Sequence, residues 1–349
     1  MKKKNYILSL ILFFVLFILT YTFVLKDYPY QDLVHAITIC DPKYLMLAFG
    51  FVLLYLFFTA IFNKRMCKKF GKKITWYQAF GYKLTEFYFS GITPSSLGGQ
   101  PVEMVEMHKD GIPVQISGVL ILFTTVLYMS TIVVLGTICF ILKRDVLFSQ
   151  GNLFKFTTIL GYVTTILVVL MFLTMIYSPK IMKFLVKIVV KLLRIFHLNK
   201  IAGGIEAKMN SMLEEYHQIA VFTLKHPMMF IEGFIYMMGA RLANLSIPFA
   251  IYRAFHLTGF SYFTILALQV GVTFGSDFFP FPGGVGINET LNLKANELLY
   301  GVSLATPGMV MVRLFNFYGI MAIAFVYYMI FHLKKRKKAI DLKGKGKNE

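Results

Sequence analysis

The chain has 349 residues, of which 57% are hydrophobic and 15% charged, and its formal net charge is +19. A composition this apolar excludes an ordinary soluble domain and is typical of a protein that crosses a membrane several times. The basic residues lie in short clusters beside apolar runs, which is typical of loops facing anionic lipid rather than of a nucleic-acid-binding surface. The three cysteines show no metal or disulfide spacing, so we interpret them as ordinary apolar residues.

Six apolar runs are long enough to cross a bilayer, which takes about 20 helical residues. The first, Tyr6–Leu25, follows three lysines and resembles a secretory signal. It is longer than the apolar part of such a signal and no cleavage site follows it, so we interpret it as a retained span. The other predicted spans are Tyr44–Phe62, Gln115–Leu142, Phe154–Tyr177, Met228–Arg253 and Pro307–Leu333.

Two further apolar stretches, Trp76–Pro113 and Phe260–Tyr300, are interrupted by glycine and proline, the two poorest helix formers. In each stretch a proline precedes a Gly-Gly pair and a carboxylate follows it, Glu103 in the first and Glu289 in the second. Irregular, charged backbone at membrane depth persists only where protein or water surrounds it. We therefore predict that both interruptions are functional.

The lysine and arginine clusters indicate the orientation of the chain. They lie before the first span, after the second, after the fourth and in the C-terminal tail. All of them fall on one side only if each broken stretch enters and leaves the membrane by the same face. We therefore predict two re-entrant hairpins, the first entering from the cytoplasm and the second from outside, with both termini cytoplasmic. The predicted fold class is an all-α polytopic membrane protein with an inverted repeat.

We predict one integral membrane domain over residues 1–338 and a basic, disordered tail over 339–349. The cytoplasmic segment 179–217 begins with an amphipathic helix, because its basic residues from Lys180 to Arg194 are spaced three or four apart. That helix lies along the inner leaflet or packs on the cytoplasmic face of the protein itself, and the pattern is compatible with both.

A broken helix exposes N–H groups where one half begins and C=O groups where the other ends, and such ends hold an anionic headgroup without a buried cation. We predict a lipid-binding site there, without a catalytic residue, metal or cofactor, since no metal-ligand or P-loop spacing is present. The candidate residues are Thr93, Ser95, Ser96, Gly98, Gly99, Gln100, Glu103, Glu106, Lys109, Arg241, Asp277, Gly283, Gly284, Asn288, Glu289 and Arg313.

Two arginines fall inside apolar runs, Arg241 in the fifth span and Arg313 in the sixth. The planar guanidinium group of arginine holds a lipid phosphate bidentately. The alternative is that Arg241 pairs with Glu232, Asp277 or Glu289 and only fixes the helix register. The sequence leaves both interpretations open.

The segments Ile92–Pro101, Lys109–Ile112 and Pro280–Glu289 resemble the lysylphosphatidylglycerol synthase transmembrane family, which is the flippase-like module of the bacterial multiple peptide resistance factor. The resemblance covers nearly the whole chain. It implies a bacterial plasma-membrane protein that moves lysylphosphatidylglycerol or a related lipid between leaflets and contributes to resistance against cationic antimicrobial peptides. Anionic phospholipids would be its ligands.

Full-length members of that family carry a separate soluble domain that transfers lysine from its tRNA to the lipid. This chain ends soon after its last basic cluster, so we expect a translocase rather than that enzyme. Arginines would then meet the lipid phosphate, while Glu103 and Glu289 would meet a headgroup amine. The alternatives are a phosphatidylglycerol lysyltransferase, with tRNA as a partner and Glu103 or Glu106 as base, and a membrane partner of a separate lipid aminoacyltransferase. The sequence also leaves a homo-oligomer open.

Overall fold

The structure is a computed structural model that describes residues 34, 37–93, 98–195, 203, 221–222, 225–277 and 286–330. Within these ranges the chain forms helices and no strand. The predicted first span, most of residues 196–217 and the tail over 339–349 lie outside the described residues.

The helices are numbered in chain order. They are α1 (Pro42–Lys69), α2 (Trp76–Ile92), α3 (Gly99–Lys109), α4 (Val114–Phe148), α5 (Asn152–Tyr177), α6 (Pro179–Ile195), α7 (Pro227–Ala254), α8 (Tyr262–Asp277) and α9 (Ile287–Arg313). A π-helical turn, Leu314–Gly319, continues α9, and the helix then runs on to Ile330.

Five helices of the described part are long and apolar enough to cross a membrane. Each overlaps one of the predicted spans that fall on described residues, so the multi-pass, all-α class is confirmed, while the predicted bounds are not. The spans are Pro42–Lys69, Val114–Phe148, Asn152–Thr174, Pro227–Ala254 and Ile287–Ile330.

Helices α1 and α7 pack as an antiparallel pair that is fixed at both ends. At one end the side chain of Asp41 caps α1, and the backbone N–H of Asp41 donates to the Ala254 carbonyl at the end of α7, at 2.9 Å. At the other end Lys69 and Glu232 form an ion pair at 2.6 Å. We call the side on which α1 ends and α7 begins the basic face, because α1 ends in lysines there.

The first broken stretch forms helices α2 and α3, which we call the first helix pair. A Cβ at Gly99 would overlap the Ser90 hydroxyl and the Glu86 carbonyl oxygen, so the two helices approach closely only with glycine at this position. Pro101 lies inside the first turn of α3, not in the break, because a proline there forfeits no helical hydrogen bond.

The second broken stretch forms α8 and the first half of α9, Ile287–Tyr300, which we call the second helix pair. Gly301 interrupts α9 with φ 74°, a left-handed conformation that glycine adopts without strain. The sixth predicted span began at Pro307, whereas the structure places the break earlier, at Gly301. Whether either pair is re-entrant stays a prediction.

Small residues allow the helices around both pairs to pack closely, as is common in membranes. A Cβ at Gly161 on α5 would overlap the backbone of Phe274 on α8. The helix that follows Gly301 packs against α2, because Met321 fills the space beside Gly91 and Tyr327 the space beside Gly81. The two helix pairs are thus held in one bundle.

The three cysteines, Cys40, Cys67 and Cys139, are free and buried, which confirms that they form no disulfide. Burial raises the pKa of the Cys40 thiol, just before α1, to about 11, so this thiol stays protonated.

The predicted amphipathic segment forms helix α6. Lys183, Lys187 and Lys191 are exposed along one side, with exposed Phe184 and Ile188 beside them. Which of the two predicted surfaces this helix lies on stays a prediction.

Candidate functional site

Arg241 lies at the middle of α7, about 20 Å from either end by the helical rise. Tyr55, midway along α1, lies within electrostatic range of Lys83 and Glu86 on α2 and of Arg241 on α7. The polar residues of the first helix pair and the arginine of α7 therefore share one region of the interior.

Three charged residues form what we call the carboxylate cluster: Lys83 and Glu86 on α2 and Glu103 on α3. The Lys83 ammonium contacts Glu86 Oε2 at 2.6 Å, and the Ser90 hydroxyl donates to Glu86 Oε1 at 3.1 Å. Glu103 lies within electrostatic range of both charged neighbours. The cluster holds two carboxylates and one ammonium group.

Glu103 is only 7% exposed, and it forms no ion pair within 4 Å with any described residue. The side chain of Asn63, on α1, lies beside it, and in the described structure the Asn63 amide nitrogen makes no hydrogen bond of good geometry. An isolated buried carboxylate is costly, so this position is suited to receive a positive charge.

The neighbours of Glu103 in the first helix pair are held by local bonds. Glu106 is buried and pairs with Lys109 at 2.6 Å. The Thr93 hydroxyl accepts a bond from the Gly98 N–H at 2.9 Å, and Gln100 donates to Thr125 on α4 at 2.8 Å. These contacts fix the residues on either side of the break.

Arg241 is 6% exposed and lies at the middle of α7. One of its terminal nitrogens donates to the Tyr128 carbonyl at 3.1 Å, and its guanidinium lies over the Tyr128 ring at 3.6 Å. Its Nε is buried without a hydrogen-bond partner in the described structure. Asp277, at the end of α8, lies within electrostatic range but outside ion-pair distance.

The predicted alternative partners of Arg241 are therefore engaged elsewhere or too distant. Glu232 pairs with Lys69 at the basic face, and Glu289 pairs with Arg313. Among the described residues, no carboxylate neutralises Arg241.

Arg313 and Glu289 form a buried ion pair within the second helix pair and the span that follows it. Arg313 Nε donates to Glu289 Oε1 at 2.7 Å, and one terminal nitrogen bonds to the same oxygen. Glu289 Oε2 accepts the Gly286 N–H at 2.6 Å, which caps the start of α9. Both oxygens of Glu289 are thus engaged, although the sequence suggested Glu289 for a headgroup amine and Arg313 for a phosphate.

Amide side chains continue this polar region from α9 to α8. Gln269 on α8 donates to Asn292 at 3.2 Å, and Asn292 donates to the Asn288 side chain at 2.8 Å. Beyond Arg313, Asn316 lies in the π-helical turn with a buried side-chain oxygen that has no hydrogen-bond partner in the described part of the chain.

An aromatic contact joins the first helix pair to the helix that follows the second. The Arg313 guanidinium lies 4.8 Å from the centre of the Phe317 ring, and that ring lies 6.2 Å from the ring of Phe87 on α2. The polar regions of the two pairs are therefore neighbours in the bundle. The predicted site residues Ser95, Ser96, Gly283 and Gly284 lie outside the described residues.

The sequence model of the lysylphosphatidylglycerol synthase TM region matches residues 6–324 of the chain. The chain belongs to this family. A comparison with curated proteins returned no match. Family membership confirms the resemblance seen in the two glycine-rich motifs, and it supports a multi-pass membrane protein.

Sequence reasoning missed three residues that the structure places beside the carboxylate cluster and Arg241. Lys83 had a usable signal, because it lies three residues before Glu86 on one helix face. Asn63 and Tyr128 had none, since asparagine and tyrosine are unremarkable inside apolar helices and their partners lie on other helices.

Proposed function

We propose that this chain translocates a phospholipid between the leaflets of a bacterial plasma membrane, its headgroup passing between the two helix pairs. Lysylphosphatidylglycerol is the first candidate, because the family is named for its synthesis. The proposal includes both termini on the cytoplasmic side, as the basic clusters indicate, and a contribution to resistance against cationic antimicrobial peptides.

The observation that carries the proposal is the buried guanidinium of Arg241. A cation at mid-depth without a neutralising carboxylate is expensive, and such residues in membrane proteins mark ligand pathways. Tyr128 holds one face and one edge of the guanidinium, while Nε has no partner within the described structure. A lipid phosphate would supply both the missing charge and the missing acceptor.

The second contact is Glu103, which would meet the amine of an aminoacylated headgroup. It is buried, lies in the first helix pair and is not bound to a cation at ion-pair distance in the described structure. Tyr55 lies within electrostatic range of both Arg241 and the neighbouring Lys83 and Glu86. A headgroup carrying a phosphate and an amine would find an opposite charge for each in one region.

Leaflet-resolved translocation of lysylphosphatidylglycerol in proteoliposomes tests the proposal. We expect Arg241→Gln to slow translocation roughly tenfold or more, because a charge-assisted hydrogen bond is lost in the rate-limiting passage. Arg253→Gln is the matched control on the same helix. Arg253 lies in the last turn of α7, and its guanidinium donates a long hydrogen bond to the Leu257 carbonyl at 3.4 Å.

Equal translocation by wild type, Arg241→Gln and Glu103→Gln would refute the proposed site. Mass spectrometry of lipids from cells lacking the gene separates translocation from synthesis. We expect unchanged lysyl lipid with altered sidedness, whereas loss of the lipid itself would indicate a transferase or its partner.

A further inference from the structure

The carboxylate cluster contains one more negative charge than positive charge. Lys83 contacts Glu86 at 2.6 Å, which leaves Glu103 with no cation at ion-pair distance in the described structure. Two carboxylates close together in a buried place do not both stay ionised unless enough positive charge is present. The excess charge therefore has to be neutralised by a proton or by a bound cation.

Among the described residues, the surroundings of Glu103 offer no further cation. Helix α1 presents Asn63 and Cys67, and α2 presents Lys83 and Glu86. On α3 itself, Lys109 is bound to Glu106 at 2.6 Å. The part of α4 from Val114 to Leu142 contains no charged residue at all. Lys83 is thus the one cation that faces Glu103 from the described helices packed around it, and it is already shared with Glu86.

We infer that Glu103 carries a proton while no cationic headgroup is bound, and that an arriving headgroup ammonium displaces this proton. The inference rests on the proposed function. The exchange balances: the O–H bond of the Glu103 carboxylic acid breaks, the proton leaves to water, and the carboxylate becomes the counter-ion of the ammonium. The net charge of the cluster stays the same before and after.

The exchange provides an energy source for translocation. When the headgroup amine leaves Glu103 on one side of the membrane, Glu103 takes up a proton there. Glu103 returns to the other side in its protonated form, so one proton crosses in the direction opposite to each lipid. A membrane that is more acidic outside would thereby drive a cationic lipid towards the outer leaflet. Proton movement and lipid movement are coupled because a proton and a headgroup ammonium cannot bind the Glu103 carboxylate at the same time.

Infrared difference spectroscopy tests the proton directly. The protein is placed in phosphatidylglycerol nanodiscs near neutral pH, where a protonated buried carboxyl group gives a C=O stretch that shifts in deuterated water. We expect this band in wild type, its loss in Glu103→Gln, and its loss in wild type when lysylphosphatidylglycerol is added to the disc. Glu232→Gln is the matched control, since Glu232 is ionised beside Lys69 at the basic face and should leave the band unchanged.

Two further variants keep Glu103 in place and change the intensity of the C=O band in opposite directions. Glu86→Gln releases Lys83 to pair with Glu103, so the band should disappear. Lys83→Met removes the only cation of the cluster, so a second carboxyl group should become protonated and the band should roughly double.

A wild-type spectrum without the band, a band that survives in Glu103→Gln, or a band that persists after lysylphosphatidylglycerol is added would each overturn the inference. The readout does not require transport. A protein that shows the band and its loss on adding the lipid, yet does not translocate lipid, would refute the proposed function while the proton site stands.

Discussion

The two helix pairs share a sequence plan but treat their carboxylates differently. In the second pair both oxygens of Glu289 are engaged, one by Arg313 and one by the Gly286 N–H that begins α9. In the first pair Glu103 is bound to no cation at ion-pair distance in the described structure, and Gly98, which precedes α3, receives no side-chain cap. One carboxylate is therefore used to hold the fold, while the other is available to a ligand.

The comparison shows that similar motifs in a repeat need not have similar roles. A buried ion pair stabilises a helix contact only while both partners are present. A buried carboxyl group without such a partner does not stabilise the fold and is suited to bind a cationic ligand. The following predictions test this division, from the largest expected effect to the smallest.

The largest effect is expected for Arg313→Met. Removing the arginine leaves Glu289 buried and uncompensated, which costs about 3–5 kcal/mol of unfolding free energy. Titration with a denaturing detergent in mixed micelles measures this cost. The double variant Arg313→Met with Glu289→Met should recover most of it, because neither charge remains. A single variant as stable as wild type would show that the pair does not hold the fold.

A smaller loss is expected for Gly99→Ala. The added methyl group would overlap Ser90 and the Glu86 carbonyl oxygen, so α2 and α3 have to separate, at about 1–3 kcal/mol. The control is Gly118→Ala on α4, where the nearest atom to the new methyl group is Met104 Cε at 3.9 Å. If both variants melt at the same temperature, the close approach at the first break is not required.

Glu103→Gln should change stability by less than about 1 kcal/mol, because a protonated Glu103 is as neutral as glutamine and forms no ion pair with the described residues. Translocation of an aminoacylated lipid should nevertheless fall strongly, since a neutral amide does not hold an ammonium. Glu289→Gln should show the reverse order of effects. A Glu103 variant that unfolds as readily as the Arg313 variant would erase the difference between the two pairs.

The smallest effect is expected for Lys69→Met. The pair with Glu232 is partly exposed, at 31% and 23% of the two side chains, and such pairs contribute about 0.2–1 kcal/mol. Melting temperatures at low and high salt measure it, and the small difference should shrink as salt is added. A loss comparable with that of Arg313→Met would mean that burial does not set the order of these effects.

Much of the fold followed from local patterns. Apolar length placed the spans that fall on described residues, and glycine and proline placed both helix breaks, because these signals act within one stretch of chain. The start of the last span was missed by a few residues, since Pro307 continues a helix that Gly301 had already broken.

The candidate site was predictable only in its residue types. The mid-span position of Arg241 identified it as unusual, but its contact with Tyr128 joins helices that are distant in sequence. The pairing of Glu289 with Arg313 was equally hidden, because the sequence left Glu289 open as a partner of Arg241 beside Glu232 and Asp277. Which charge meets which depends on how the helices are rotated, and apolar periodicity does not determine that rotation closely enough.

The π-helical turn Leu314–Gly319 sets the rotation of everything beyond it. Such a turn accommodates one residue more than an α-helix, so winding the same residues as a regular α-helix would rotate the following segment by about 100°. Met321 and Tyr327 would then leave the glycines of α2 that they now cover. A single inserted amino acid thus sets the alignment between the last helix and the first break.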